Sequence, residues 1–268
     1  MIAGFQFKDN YNIEDLLRIM EILRGPDGCP WDAEQTHESI KKDLIEETYE
    51  VIEAINKQNP VMLQEELGDL LMQVVFHSRL SQEAGEFAFA EVCDGICKKL
   101  IERHPHVFGE VSVSDTDEVL SNWDAIKRRS KEHVTTTQAI DSVPRELPAL
   151  MRSAKIQHKA AKAGFDWPDI AGAMDKIPEE TQELKQAIAS GDQAAVADEL
   201  GDLLFAVVNV SRFVHVDAEE ALTAATDKFR NRFAAVETLA NQRGIDMKTT
   251  PIEELDRLWD EVKKNSLA

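Results

Sequence analysis

The chain has 268 residues, with 50 Asp+Glu against 30 Lys+Arg and a formal net charge of -20 at pH 7. Such acidity argues against a nucleic-acid polymer or an anionic membrane surface as partner, because both need a basic face. At 43% hydrophobic and 30% charged, the composition is that of a soluble globular protein with room for one large domain or two smaller ones.

From the start of the chain, Met1 to Asp9 shows no charged region followed by an apolar one, so no secretory signal is expected. No run of about 18 apolar residues offers a membrane span. The three cysteines, Cys29, Cys93 and Cys97, have neither zinc-site nor redox-pair spacing, and reduced thiols in a cytoplasmic protein are the expectation. The first clear helical pattern surrounds Glu46-Glu47-Thr48-Tyr49-Glu50. Asn56 to Pro60 then reads as a turn. A second helix follows, with Leu67, Leu70, Leu71, Val74 and Val75 on one apolar stripe. His104 and His106 flank Pro105 at a helix end, where capping explains them better than catalysis. Ser130 to Thr137 is polar, and Pro144 and Pro148 bracket a short segment. The stretch 134–147 therefore reads as a linker.

Beyond the linker the chain repeats itself. Glu179-Glu180-Thr181-Gln182-Glu183 echoes Glu46 to Glu50, and Asp198-Glu199-Leu200-Gly201-Asp202-Leu203-Leu204 echoes Glu65 to Leu71, both displaced by 133 residues. Softer echoes pair Gly28-Cys29-Pro30-Trp31 with Gly164-Phe165-Asp166-Trp167, Lys99 to Arg103 with Lys228 to Arg232, and Trp123-Asp124 with Trp259-Asp260. Leu200, Leu203, Leu204, Val207 and Val208 repeat the apolar stripe. No stretch alternates with period two. The expected fold is all-α, a tandem repeat of two helical modules of four-helix-bundle type, at 1–133 and 148–268.

Chemistry concentrates on four acids per module. Glu47 and Glu50 share a helix face, as do Glu66 and Asp69. Across the Asn56–Pro60 turn both pairs stand roughly 12 Å from its centre, so they should face each other in an antiparallel hairpin. Ser190-Gly191-Asp192 makes the equivalent turn between Glu183 and Glu199. Four converging carboxylates repel one another unless a hard divalent cation, magnesium or manganese, sits among them. Such an ion lets an acidic protein bind a polyphosphate. Di-iron bundles use Glu-x-x-His pairs, which are absent at these positions. No Walker-type glycine loop occurs. His133, His158 and His215 have no partnered nucleophile. Trp31 and Trp167 suit either base stacking or packing.

The spacing Glu-Glu-x-x-Glu, fifteen residues, Glu-x-x-Asp resembles the MazG family of nucleoside triphosphate pyrophosphohydrolases. Gly28 to Asp32, Glu65 to Leu71 and Arg103-His104-Pro105-His106-Val107-Phe108 strengthen the likeness over nearly the whole chain. The resemblance implies magnesium-dependent hydrolysis of a nucleoside triphosphate to the monophosphate and pyrophosphate, by an intertwined helical homodimer. It also implies roles. Glu180, Glu183, Glu199 and Asp202 bind metal, and Glu179 orients or deprotonates the attacking water. Lys176, Lys228 and Arg232 hold phosphates, and Trp259 lies near the nucleotide. In the first module Glu47, Glu50, Glu66 and Asp69 match the metal ligands, with Lys99, Arg103 and Trp123 as the other counterparts.

The copies are unequal. Lys176 aligns with Asp43, although Lys41 and Lys42 are close by. Asn209, on the face of Asp202 and able to hydrogen-bond a base or sugar, aligns with Phe76. The second module is therefore expected to catalyse. The first is left with metal or nucleotide binding, another hydrolysis, or a scaffold role. The rival expectation from a different class is a metal- and nucleotide-binding regulatory protein without turnover.

Overall fold

The computed structural model describes residues 5–265 except 117, 120, 121, 124, 125 and 127–134. Asp124, His133 and most of the polar stretch before Thr135 lie outside the described residues. Among the described residues there are helices and turns but no strands, as the absence of period-two patterning predicts. The chain divides into two compact units, Met1–Ser130 and Lys131–Ala268.

In the first unit α1 (Ile13–Leu23) begins with a reciprocal cap. Asn12 accepts from the Asp15 amide at 3.1 Å, and the Asp15 carboxylate accepts from the Asn12 amide at 3.0 Å. A short α2 (Pro30–Glu34) leads to the central hairpin of α3 (Lys41–Asn56) and α4 (Pro60–Glu83). The hairpin turns where the sequence predicts. Gln58 takes a positive φ of 51°, and Asn59 caps α4 by accepting from the Val61 and Met62 amides. Helices α5 (Phe89–Arg103) and α6 (Pro105–Phe108) follow. α1, α3 and α5 all pack on α4. Met20, Ile40, Val75, Phe76 and Leu80 form its buried cluster.

The second unit opens with α7 (Thr136–Asp141), inside the stretch expected to be linker. Thr135 caps it by accepting from the Gln138 amide, α7 packs on the next helix, and Val143 just after it is buried. Polar composition concealed this helix because its threonines serve as cap and first turn. α8 (Ala149–Lys162) precedes the second hairpin, α9 (Ile170–Ser190) and α10 (Gln193–Phe213). Here the turn needs a left-handed residue, and Gly191 supplies it at φ 75°. Asp192 then caps α10 through the Ala194 and Ala195 amides. α11 (Ala218–Gln242) and α12 (Ile252–Asn265) enclose a cluster of Val236, Ala240, Leu258 and Val262.

The apolar stripes are only half covered. Val75 and Val208 are each 1% exposed, whereas Leu67, Leu71, Leu200, Leu204 and Val207 are 40% exposed or more. Each hairpin carries apolar residues on two faces, and its own unit buries just one.

Candidate metal and nucleotide site

The site of the second module is built on the facing surfaces of α9 and α10. Glu180, Glu199 and Asp202 each bring a carboxylate oxygen within 4.8 Å of the other two. Glu180 is 6% exposed, which is unusual for a carboxylate. Its partner is Lys176, one turn earlier, whose Nζ lies 2.7 Å from Glu180 and 2.9 Å from Glu179. Hydrogen bonds to Glu179 and Glu180 raise the Lys176 pKa and keep it a cation. Burial, with the charges of Glu199 and Glu180 next, pushes the Glu183 carboxyl above its ordinary range.

The first module repeats the triplet. Glu47, Glu66 and Asp69 offer oxygens within 4.8 Å of one another. Burial raises the Glu47 pKa, followed by the charges of Asp69 and Glu50. Glu66 is raised by burial and then by Glu50. Glu50 adds its negative charge to the surroundings of both Glu47 and Glu66. A hard divalent cation with oxygen ligands would relieve the repulsion in both clusters. The donor sets fit such an ion. The position of Lys176 is taken here by Asp43, next to Lys42, and Lys41 pairs with Glu38.

The other substrate-binding candidates are gathered elsewhere in the second unit. Lys228 and Arg232 line an open groove of about 560 Å³ on α11, with Asp227, Asn231 and Val262 of α12 among its walls. Trp259 of α12 packs on that pair of helices, its ring 5.2 Å from Phe229. The acids sit on α9 and α10, and these cations sit on α11. The matching first-module pair is in contact, with the Arg103 guanidinium 5.4 Å from the Trp123 ring centre.

Asn209 is held by a residue that sequence reasoning did not single out. Arg212 donates to its Oδ1 from Nε at 3.2 Å and from Nη2 at 3.0 Å. Arg212 also grips the Asp166 carboxylate with both terminal nitrogens, one at 2.8 Å. The available signal was the three-residue spacing of Asn209 and Arg212 on a helix. The Asp166 contact, 46 residues distant, has no local signature. At the Asn209 position the first module has Phe76, buried at 3%, with the Arg24 guanidinium 5.2 Å from its ring centre. Trp31 and Trp167 are both exposed, at 60% and 45%. His104 donates from Nδ1 to the Leu100 carbonyl, 2.7 Å away, as a helix-end residue does.

A family model for the MazG nucleotide pyrophosphohydrolase domain matches the chain twice, at residues 35–108 and 170–236. The chain is 44% identical over 260 residues to a nucleoside triphosphate pyrophosphohydrolase of Escherichia coli (strain K12), covering 95% of this chain and 98% of the relative. It is 45% identical over 250 residues to a nucleoside triphosphate pyrophosphohydrolase/pyrophosphatase MazG of Thermotoga maritima, covering 93% and 95%. A longer Bacillus subtilis protein, YabN, is 44% identical to 92% of this chain, which spans 50% of that relative. Both family matches contain one complete set of the four acids.

Proposed function

The chain belongs to the MazG family of nucleoside triphosphate pyrophosphohydrolases, and from that premise we propose that its second module performs the hydrolysis. The protein is a hydrolase acting on the phosphoanhydride of a nucleoside triphosphate. The observation that carries the assignment to the second module is Lys176, which bonds Glu179 and Glu180 beside the acid triplet and has only Asp43 as its counterpart.

Glu180, Glu183, Glu199 and Asp202 hold a divalent ion, magnesium or manganese, which supplies the positive charge a triphosphate needs beside carboxylates. Glu179, with its side chain 55% exposed, takes the proton of the attacking water. Lys176 keeps that carboxylate aimed. The water oxygen bonds to the α-phosphorus, the α–β anhydride bond breaks, and pyrophosphate leaves with the bonding electrons. Lys228 and Arg232 bind the phosphate chain, and Trp259 lies near the nucleotide. In the first module Glu47, Glu50, Glu66 and Asp69 bind the same kind of ion without turnover.

The half-covered apolar stripes support a homodimer in which partner helices cover Leu67, Leu71, Leu200 and Leu204. Among the described residues no helix is long and apolar enough to cross a membrane. Free cysteines and a nucleotide substrate suit the cytoplasm. Incubation with the eight common triphosphates and magnesium, followed by product separation, tests the reading. Monophosphate with pyrophosphate supports it. Diphosphate with phosphate, or no product, overturns it.

A further inference from the structure

Beyond the acids, one polar network of the second module has a direction built into it. Asn209 lies seven residues past Asp202 on α10, on the same face and about 10 Å further from the Gly191 turn. Because Glu180 meets Glu199 and Asp202 across the hairpin, Asn209 stands level with the first turn of α9, where Gly172 lies. The indole of Trp167 rests on that glycine, so closely that a Cβ there would come 2.6 Å from the ring. Trp167 nevertheless stays 45% exposed. Its neighbour Asp166 is clamped by Arg212, which also bonds Asn209 and lies over the Phe213 ring at 4.4 Å. One guanidinium thereby ties the aromatic segment 165–167 to the amide on α10.

A guanidinium has five donors and no acceptor. The Asn209 amide can therefore sit against Arg212 only with Oδ1 inward, which turns its NH2 edge outward as a pure donor. We propose that Asp166 and Arg212 are positioning residues that fix Asn209 as a hydrogen-bond donor in a nucleobase subsite beside Trp167. The subsite favours bases with a carbonyl where adenine and cytosine carry an amino group. This inference rests on the second module holding the triphosphate at its acids, which puts the base further along α10. The first module has no such device. Phe76 replaces the amide, and Arg79, aligned with Arg212, pairs with Glu83 on its own helix at 2.8 Å.

The test is kcat/KM for GTP, UTP, ATP and CTP with magnesium, read as pyrophosphate release. The wild-type protein should favour GTP and UTP over ATP and CTP by about tenfold, the cost of facing a donor with a donor. Asn209→Asp keeps its bond to Arg212 but presents an acceptor, so the preference should reverse. Arg212→Ala frees the amide to turn over and should bring the ratio to within about twofold of one, whereas Arg212→Lys should keep the wild-type order. A fold defect lowers all four rates together and leaves their ratio unchanged. A wild-type ratio near one, or an unchanged ratio in Asn209→Asp and Arg212→Ala, overturns the subsite while leaving the hydrolase assignment intact. No hydrolysis of any triphosphate by the wild-type protein overturns the assignment and the subsite with it.

Discussion

The two modules put the same acid triplet on the same helical hairpin and surround it differently. In the first, Phe76 is buried under Arg24, and Asp43 stands one helical turn before Glu47. In the second, the equivalent positions are Lys176 and Asn209, both engaged in polar contacts. The arginine clamps differ in the same sense. Arg24 ties α1 to Glu83 and to the carbonyls of Asp32 and Gln35, which is a packing role. Arg212 ties Asp166 to an amide on the helix face of Asp202. The same helix hairpin collects three carboxylates in each module, and the side chains beside them differ.

This contrast can be broken by experiment. The largest expected effect is on turnover. Glu199→Gln should lower pyrophosphate release on the order of a thousandfold or more, since the ligand set loses a charge. Glu66→Gln should leave the rate within about threefold. Equal losses in both variants would end the assignment to one module. Chelation with EDTA should abolish the wild-type activity, and added magnesium should restore it.

Next in size is the first module's packing. Phe76→Asn imports the second module's residue into a buried site and should cost about 3–5 kcal/mol by urea unfolding, as large-to-small core changes do. Lys176→Met should reduce kcat about a hundredfold with little change in stability, through a misaimed Glu179. A change in KM alone would make Lys176 a binding residue.

The smallest effect concerns the clamp. Arg212 holds the Asp166 carboxyl below its usual range, chiefly by hydrogen bonding. A depressed folded pKa stabilises the protein above the unfolded value, roughly pH 4, and that contribution is lost as pH falls through the folded value. Asp166→Asn should therefore cost about 1 kcal/mol at neutral pH, a modest figure because the pair is partly exposed. The difference from wild type should vanish in acid. Glu83, lowered by Arg24 and Arg79, follows the same sign in the first module. A clamp contribution that grew as pH fell would refute this account.

Much of the fold and of the acid site was legible in the residues themselves. Helix periodicity, the Asn59 and Asp192 caps and the Gly191 turn are local, and local chemistry decides them. The facing of Glu47 and Glu50 on Glu66 and Asp69 follows from a short turn and a fixed rise per residue. The internal repeat identified two modules, and the acid spacing carried the family. Tertiary structure settled what depends on contacts between distant segments. It seated Lys176 on Glu179 and Glu180 and joined Asp166 to Asn209 through Arg212. It also placed the Lys228 and Arg232 groove on a different helix from the acids, and it left one face of each apolar stripe uncovered. Spacing along a helix gives direction and distance within that helix, whereas a hydrogen bond across 46 residues depends on how separate helices pack.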